Sequence, residues 1–331
     1  MQFAFVIGTT ETASIDGISA AGASPELMAK TPAADAEIVE YGRPVGDSPT
    51  PVSPAGCPTP AVITRAVRET ISFETLTIDA GSAAETDAPS IRVGNRPGGD
   101  VRNPRPVPAA EEIYERTVEI GSQLPGKELL VGESIPGGTT TALGVFRALG
   151  RPYDVSSSLP NNPVELKEAV VSAGLAASDL KEGELSAAPV EAVSAMGDPV
   201  LAAASGLVVG AMNGDRTVTL AGGTQMLAVA ALVRAAGITE PIELATTSFV
   251  ANDGTAGLDT ACRELDVDLT VTDPEFDGVD HVAFQQYREG VAKEGVGMGG
   301  ALKLTSCGEH SMDRVHEQII HCYDRVIDDG S

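Results

Sequence analysis

The chain has 331 residues, enough for one large or two medium domains with a real core, and a formal charge of −25 at pH 7. Its 47 acidic residues face six lysines and sixteen arginines, a balance that argues against a nucleic-acid partner because it repels phosphate backbones. A hydrophobic share of 42% argues against a disordered acidic tail, and the lysine depletion points to an acidic surface adapted to a salt-rich, halophilic cytoplasm, where salt screens self-repulsion.

Phe3 to Ile7 reads as a buried strand closed by Gly8. A helix is expected after Thr31, with Pro32 at its first position. Six prolines between Pro44 and Pro60 preclude a regular element there. A second weakly ordered stretch, Gly81 to Pro108, carries Asn95-Arg-Pro-Gly-Gly-Asp100 and Arg102. The pattern then becomes regular. Glu128 to Glu133 reads as a strand and Thr139 to Leu149 as a helix ending at Gly150. Asn162 is expected to cap a helix, with Pro163 in its first turn and Glu165 at the capping-box position. Asp198-Pro199 opens an Ala-rich helix that stops near Gly214. Arg216 to Leu220 (strand), Thr224 to Ala236 (helix), Ile242 to Val250 (strand), Leu258 to Leu265 (helix) and Leu269 to Thr272 (strand) complete the alternation.

Strands alternating with helices imply parallel βαβ units. The strand runs are apolar throughout, as strands covered on both faces require. The fold expected is therefore α/β: three layers, a mostly parallel sheet with helices on both faces (Rossmann-like), and a smaller region from the chain termini. Residues 1–110 read as an N-terminal strand plus a Pro/Gly-rich segment of the same fold. Residues 111–305 read as the catalytic α/β core. Residues 306–331 read as a C-terminal helix, packing elsewhere or on a partner subunit.

Cys57, Cys262, Cys307 and Cys322 are scattered and form no CxxC pair, which suits free thiols in a reducing compartment. The start of the chain lacks the basic segment of a secretory signal. The longest mostly apolar stretch, Val200 to Met212, falls short of the roughly 20 residues of a membrane span. These features predict a cytoplasmic protein without a membrane partner. His316 and His321 sit five apart on the last helix and point in different directions, so no metal site is expected from them or from nearby Cys307, His310 and Cys322.

Three glycine-rich segments carry chemistry. In Leu130-Val-Gly-Glu-Ser-Ile-Pro-Gly-Gly-Thr-Thr-Thr-Ala142, a strand ends at Glu133 and a turn through Gly137 and Gly138 leads into a helix. Such a turn offers free backbone N–H groups at the positive end of a helix, a phosphate site, with Thr139 and Thr140 at its entry. The alternative is an ordinary strand-to-helix turn with Thr139 or Thr140 as cap. A nucleotide P-loop is disfavoured, because Gly138 stands where its lysine belongs. Val218-Thr-Leu-Ala-Gly-Gly-Thr-Gln-Met226 offers a second cradle at Gly222 and Gly223. Val291-Ala-Lys-Glu-Gly-Val-Gly-Met-Gly-Gly-Ala301 matches GxGxxG through Gly295, Gly297 and Gly300, but no strand precedes it and too little chain follows for a dinucleotide unit. It reads as a flexible loop with Glu294 at its edge, its glycines allowing close approach to a ligand. Lys167, one of six lysines, is either solvated or reaches a phosphate.

At these motifs the sequence resembles the nicotinate-nucleotide–dimethylbenzimidazole phosphoribosyltransferase family, and more closely its archaeal, halophile-like branch. Gly8-Thr-Thr-Glu-Thr-Ala13 with Gly17-Ile-Ser-Ala-Ala-Gly22 looks like the branch's N-terminal signature. Gly132-Glu-Ser-Ile-Pro-Gly-Gly-Thr-Thr140 is similar to the bacterial Glu-Met-Gly-Ile-Gly-Asn-Thr-Thr motif, and Lys293-Glu-Gly-Val-Gly-Met-Gly-Gly300 resembles the bacterial Gly-Glu-Gly-Thr-Gly-Ala segment. The archaeal likeness covers most of the chain, the bacterial likeness about residues 125–305.

The resemblance implies transfer of ribose phosphate from nicotinate mononucleotide to a lower-ligand base, dimethylbenzimidazole or a relative, giving an α-ribosyl base phosphate for cobamide (B12) synthesis. It implies nicotinate mononucleotide as substrate, no separate cofactor, and a homodimer. Glu294 falls on the catalytic carboxylate and Glu133 on the assisting one. Gly137, Gly138, Gly222 and Gly223 fall on donor-contacting loops, and Lys167 near a phosphate-contacting lysine, at a different spacing. The bacterial base pocket does not map onto the Pro-rich region, so the base stays open. Two other classes stand beside this one: a non-catalytic nucleotide-binding regulatory or salvage protein, and an NTPase-like enzyme.

Overall fold

The computed structural model describes residues 1–331 apart from 21, 23, 46, 47, 54, 55, 307–310 and 329–331. Seven strands form one sheet: β1 (Gln2–Ile7), β2 (Glu74–Asp79), β3 (Ser90–Arg92), β4 (Glu128–Ser134), β5 (Thr217–Ala221), β6 (Ile242–Thr247) and β7 (Val267–Thr272). All pairings are parallel, in the order β3-β2-β1-β4-β5-β6-β7. The chain winds outward from β1 in one direction and returns to β4 to wind outward in the other. The seam between β1 and β4 is the place where open α/β sheets bind ligands.

Side-chain alternation along β1 shows why the sheet is covered twice. Ala4 and Val6 enter one apolar core, and Phe3, Phe5 and Ile7 enter the other. The first face carries α3 (Ala110–Gln123), α4 (Gly138–Ala148), α5 (Val164–Ala177), α6 (Pro189–Met196), α7 (Pro199–Asn213), α8 (Thr224–Ala235) and α10 (Leu258–Glu264). The second carries α1 (Pro25–Tyr41), α2 (Ala61–Ile71), α11 (Val282–Arg288), α12 (Met298–Ser306) and α13 (Met312–Asp328). The short α9 (Ser248–Ala251) follows β6 directly. The three-layer fold is the one the strand–helix alternation predicts.

Several local expectations are corrected. The first long helix starts at Pro25, where Ser24 Oγ accepts from Leu27 N at 3.3 Å, and Pro32 lies inside it. That cap and the burial of residues 31 to 39 outweigh the hydrogen bond that Pro32 forgoes. Asn162 does not cap α5: its amide donates to Val155 O (2.7 Å) and Thr255 Oγ1 (2.8 Å). The stretch from Gly81 to Pro108 contains β3 and buries Val93, Val101 and Val107. The last strand before α9 ends at Thr247 rather than Val250. Helix α13 packs on α2 of its own chain, with Val315, Ile319, Cys322 and Val326 buried.

Candidate functional site

A cleft of about 940 Å³, counted out to its open mouth, lies at the carboxyl ends of the central strands. Its wall takes Glu133 to Thr139 from the β4–α4 turn, Gly223 to Gln225 from the start of α8, and Val291 to Val296 from the loop before α12. Three serines, Ser156 to Ser158, line it as well. Two of the glycine-rich segments singled out above thus meet the third in one place.

Glu133, next to last in β4, is almost fully buried, and its Oε2 accepts from Gln225 Nε2 at 3.1 Å. Glycine at 138 makes this possible, since a Cβ there would lie 2.0 Å from Gln225 Nε2. Burial, with the carboxylates of Asp198, Glu294 and Asp35 nearby, pushes Glu133 up to about 8. Glu294 is held differently. Its Oε1 accepts from Gly299 N (2.9 Å) and Gly295 N (3.3 Å), and its Oε2 from Thr247 N (3.2 Å). Burial raises it to about 7, and those N–H groups limit the rise by favouring the charged form. Both carboxyls are thus raised toward neutral pH, Glu133 further than Glu294 because its neighbours are carboxylates where Glu294 has backbone donors.

The glycines after Glu294 serve a purpose other than flexibility. A Cβ at Gly299 would lie 2.5 Å from Thr246 Cα, and one at Gly300 2.4 Å from Ala221 Cβ. The expected flexible loop is thus half helix: α12 begins at Met298 and lies tight on the ends of β5 and β6, delivering the Gly299 N–H to Glu294. The preceding segment is the strained part. Ala292 (φ 65°), Lys293 (φ 26°) and Val296 (φ 54°) all occupy the left-handed region. Such residues cost on the order of 1–3 kcal/mol each and persist where surrounding contacts over-determine them. Here Ala292 N donates to Ser158 O, Val296 N to Glu133 O, and Thr64 Oγ1 to Val296 O.

Lys167 does not line the cleft. It is fully buried, with Nζ donating to Ser156 O (2.7 Å) and Asn162 Oδ1 (3.0 Å), so it supports the serine segment from behind. Burial and the ammonium of Lys293 push Lys167 down to about 7, against the pull of Asp253. The cation on the cleft wall is Lys293, whose Nζ pairs with Asp253 at 2.9 Å. Burial alone would raise Asp253. Hydrogen bonds from Thr255, Lys293 and Ser156 instead hold it at about 2.

Gly137 (φ 81°), Gly138, Thr139, Gly223 and Gly295 line the cleft. Gly222, Gly297 and Thr140 lie behind it: Gly222 N donates to Ala245 O, Gly297 abuts the Phe3 ring, and Thr140 is wholly buried in α4. Sequence reasoning missed Lys293, Gln225, Asp35, Asp253 and the serines. Lys293 stood beside Glu294 in the quoted motif. Asp35 was visible as a lone charge in an apolar run, Ala33-Ala34-Asp35-Ala36. Of the C-terminal residues weighed for metal, Cys307 and His310 lie outside the described residues. His316 is buried against Phe276 and Phe284, its Nε2 2.8 Å from Pro274 O.

No protein-family model matches the chain. It is 57% identical to the UPF0284 protein of Halobacterium salinarum, over 98% of each chain. It is 43% identical to the UPF0284 protein of Methanothermobacter thermautotrophicus, over 96% of this chain and 90% of that one. The chain belongs to the UPF0284 family. Its fold is shared with the nicotinate-nucleotide–dimethylbenzimidazole phosphoribosyltransferase of Thermus thermophilus (TM-score 0.61, 17% identity, 95% of this chain and 82% of that one). A second Thermus structure, of CobT, matches at TM-score 0.61 and 16% identity, over 95% and 83%. The resemblance read from the motifs thus holds for this UPF0284 protein at the level of fold and of archaeal relatives, a halophile among them. No helix of the described residues is long and apolar enough to cross a membrane.

Proposed function

We propose that this UPF0284 protein is a phosphoribosyltransferase that moves ribose phosphate from nicotinate mononucleotide to a lower-ligand base, with Glu294 as general base and Glu133 as its neutral partner. The observation that carries this reading is the division of labour in one cleft. Two carboxyls share it: Glu294 is raised by burial and checked by three backbone donors, and Glu133 is raised further by burial and neighbouring carboxylates. A base near the working pH is the most effective proton acceptor, and two carboxyls driven apart by their surroundings supply such a pair.

In this reaction a ring nitrogen of the base attacks the anomeric carbon of the ribose. The carbon–nitrogen bond to the pyridinium ring breaks, and nicotinate leaves with the bonding pair as a neutral ring. The proton of the ring's N–H is lost as the new bond forms, and it passes to Glu294. The leaving group needs little acid help, so the protein's task is orientation and proton removal. The N-terminal turns of α4 and α8, both on the cleft wall, offer backbone N–H groups for the donor's anionic groups. Lys293 and Ser156 to Ser158 add polar contacts beside them. In this reading the protein acts in the cytoplasm, needs no cofactor beyond its substrates, and forms a homodimer.

Product analysis by mass spectrometry tests this. The protein is held in multimolar potassium chloride with nicotinate mononucleotide and a panel of bases. Free nicotinate and a ribosylated base phosphate should appear in equal amounts. An intact donor that only raises the melting temperature would instead mark a nucleotide-binding protein without turnover.

A further inference from the structure

The cleft has a second polar cluster, drawn from α1, the Pro-rich segment and the end of β4. Asp35 lies midway along α1 and is 2% exposed. Thr59 Oγ1 donates to its Oδ1 and Ser134 Oγ to its Oδ2, both at 2.6 Å. All three residues line the cleft. Around them stand Pro51, Val52, Pro58 and Pro60 of the Pro-rich segment, with Val291 and Val296 of the loop that carries Glu294. Three contacts bind the two walls. Tyr287 Oη donates to Pro58 O (3.1 Å), Thr64 Oγ1 donates to Val296 O (2.7 Å), and Gly295 lies against Pro60. Flat, largely apolar walls beside a general base suit a planar ring.

Hydrogen counting gives the polar cluster its meaning. A hydroxyl has one hydrogen to give. Ser134 and Thr59 both spend theirs on Asp35, so toward the cleft they offer lone pairs only. Thr59 Oγ1 already accepts from Ala61 N at 3.2 Å, which uses one of its two lone pairs and leaves Ser134 Oγ and Asp35 as the freer acceptors. The cluster presents acceptors without a donor. A ring with no N–H or amino group on that edge would strip the remaining lone pairs of water and return no hydrogen bond, a loss of about 1–3 kcal/mol.

We infer that Asp35, Ser134 and Thr59 form a specificity site that selects acceptor bases carrying an amino group, so that an amino-substituted nitrogen heterocycle is preferred over an alkylated benzimidazole. This rests on the transferase reading for its kinetic form, but binding of the free base tests it separately.

The experiment compares adenine with purine, which differ by one amino group, and with dimethylbenzimidazole. kcat/KM is measured with nicotinate mononucleotide, and binding of each free base by calorimetry. Wild type should favour adenine over purine by about tenfold or more, the factor an unsatisfied buried acceptor supplies. Asp35→Asn turns one of the two acceptor oxygens into an amide donor, which frees one hydroxyl hydrogen, and should collapse that preference. Ser134→Ala, which keeps the carboxylate and guards against a folding defect in the first variant, should reduce it. Turnover with equal or greater preference for dimethylbenzimidazole or purine overturns this inference and leaves the transferase standing. Selective binding of adenine without transfer supports the site and overturns the transferase. Binding of none of the three bases overturns both.

Discussion

Asp253 and Glu294 are nearby carboxylates, both partly exposed, and their surroundings drive them to opposite ends of the carboxyl range. Asp253 has an ammonium at 2.9 Å and three further donors, and it is held at about 2. Glu294 has only N–H and hydroxyl donors, with Glu133 nearby, and it rises to about 7. Burial raises both groups, Glu294 more because it is the more deeply set; at Asp253 the hydrogen bonds from Thr255, Lys293 and Ser156 outweigh it. The Lys293–Asp253 side is a fixed-charge region that sets the shape of the strained loop. On the Glu294–Glu133 side no described residue pairs a cation with either carboxylate, and the proposed reaction moves its proton there. In a chain with so few lysines, the placement of two of them, Lys167 and Lys293, around the serine segment rather than beside Glu133 makes this zoning possible.

The comparison breaks first at Glu294. Glu294→Ala should lower turnover by at least about a hundredfold, the low end for a general base. Near-wild-type steady-state rates in a folded variant would remove it from the chemistry. Next in size is the ion pair. Lys293→Met strands a buried charge and should cost about 3–5 kcal/mol in chemical unfolding, with much of the loss recovered when Asp253→Asn is added. No recovery in the double variant would mean that the loop is not held by this pair.

The pH dependence of stability sharpens the contrast. Glu133 and Glu294 have folded pKa values above their ordinary ones. Their contribution is full below about pH 4.5 and is lost as pH rises through about 7 and about 8. Lys167 opposes them, since its folded pKa is depressed and its contribution fades as pH falls through about 7. Glu133→Gln removes one group from this balance. It should raise stability at pH above about 8 and flatten the pH slope, by up to a few kcal/mol. An unchanged slope would place the proton elsewhere. The smallest effect is expected from Gly138→Ala. Its new Cβ displaces the Gln225 amide from Glu133, costing roughly 1 kcal/mol of stability and lowering activity less than the loss of Glu294.

Much of this was legible in the sequence, for identifiable reasons. Buried parallel strands are continuous apolar runs, so β1, β4, β5 and β6 announced themselves. Asp198 before Pro199 is a helix start in local chemistry alone, and its Oδ1 does cap α7, 2.9 Å from Leu201 N. Helix α2 and strand β2 were not singled out, because Ala61 to Asp79 carries many polar residues and packs only one face. Glu133 and Glu294 were visible because each adjoins glycines. Asp35 stood out only as a lone charge, and Asp253 and Ser156 to Ser158 not at all, since nothing local records that they converge from α1, the turn after α9 and the loop after α4. The glycines at 299 and 300 misled for a related reason: a close approach to one's own strand leaves the same signature as a close approach to a ligand.

The central claim is that the cation-free half of the cleft moves the proton. The most direct test is kcat/KM against pH for the transfer, in wild type and Glu133→Gln. The account predicts activity rising as Glu294 ionises near pH 7 and falling as Glu133 loses its proton near pH 8, with the alkaline limb absent in the variant. A rate flat from about pH 5 to about pH 9, or identical profiles for the two proteins, would contradict it.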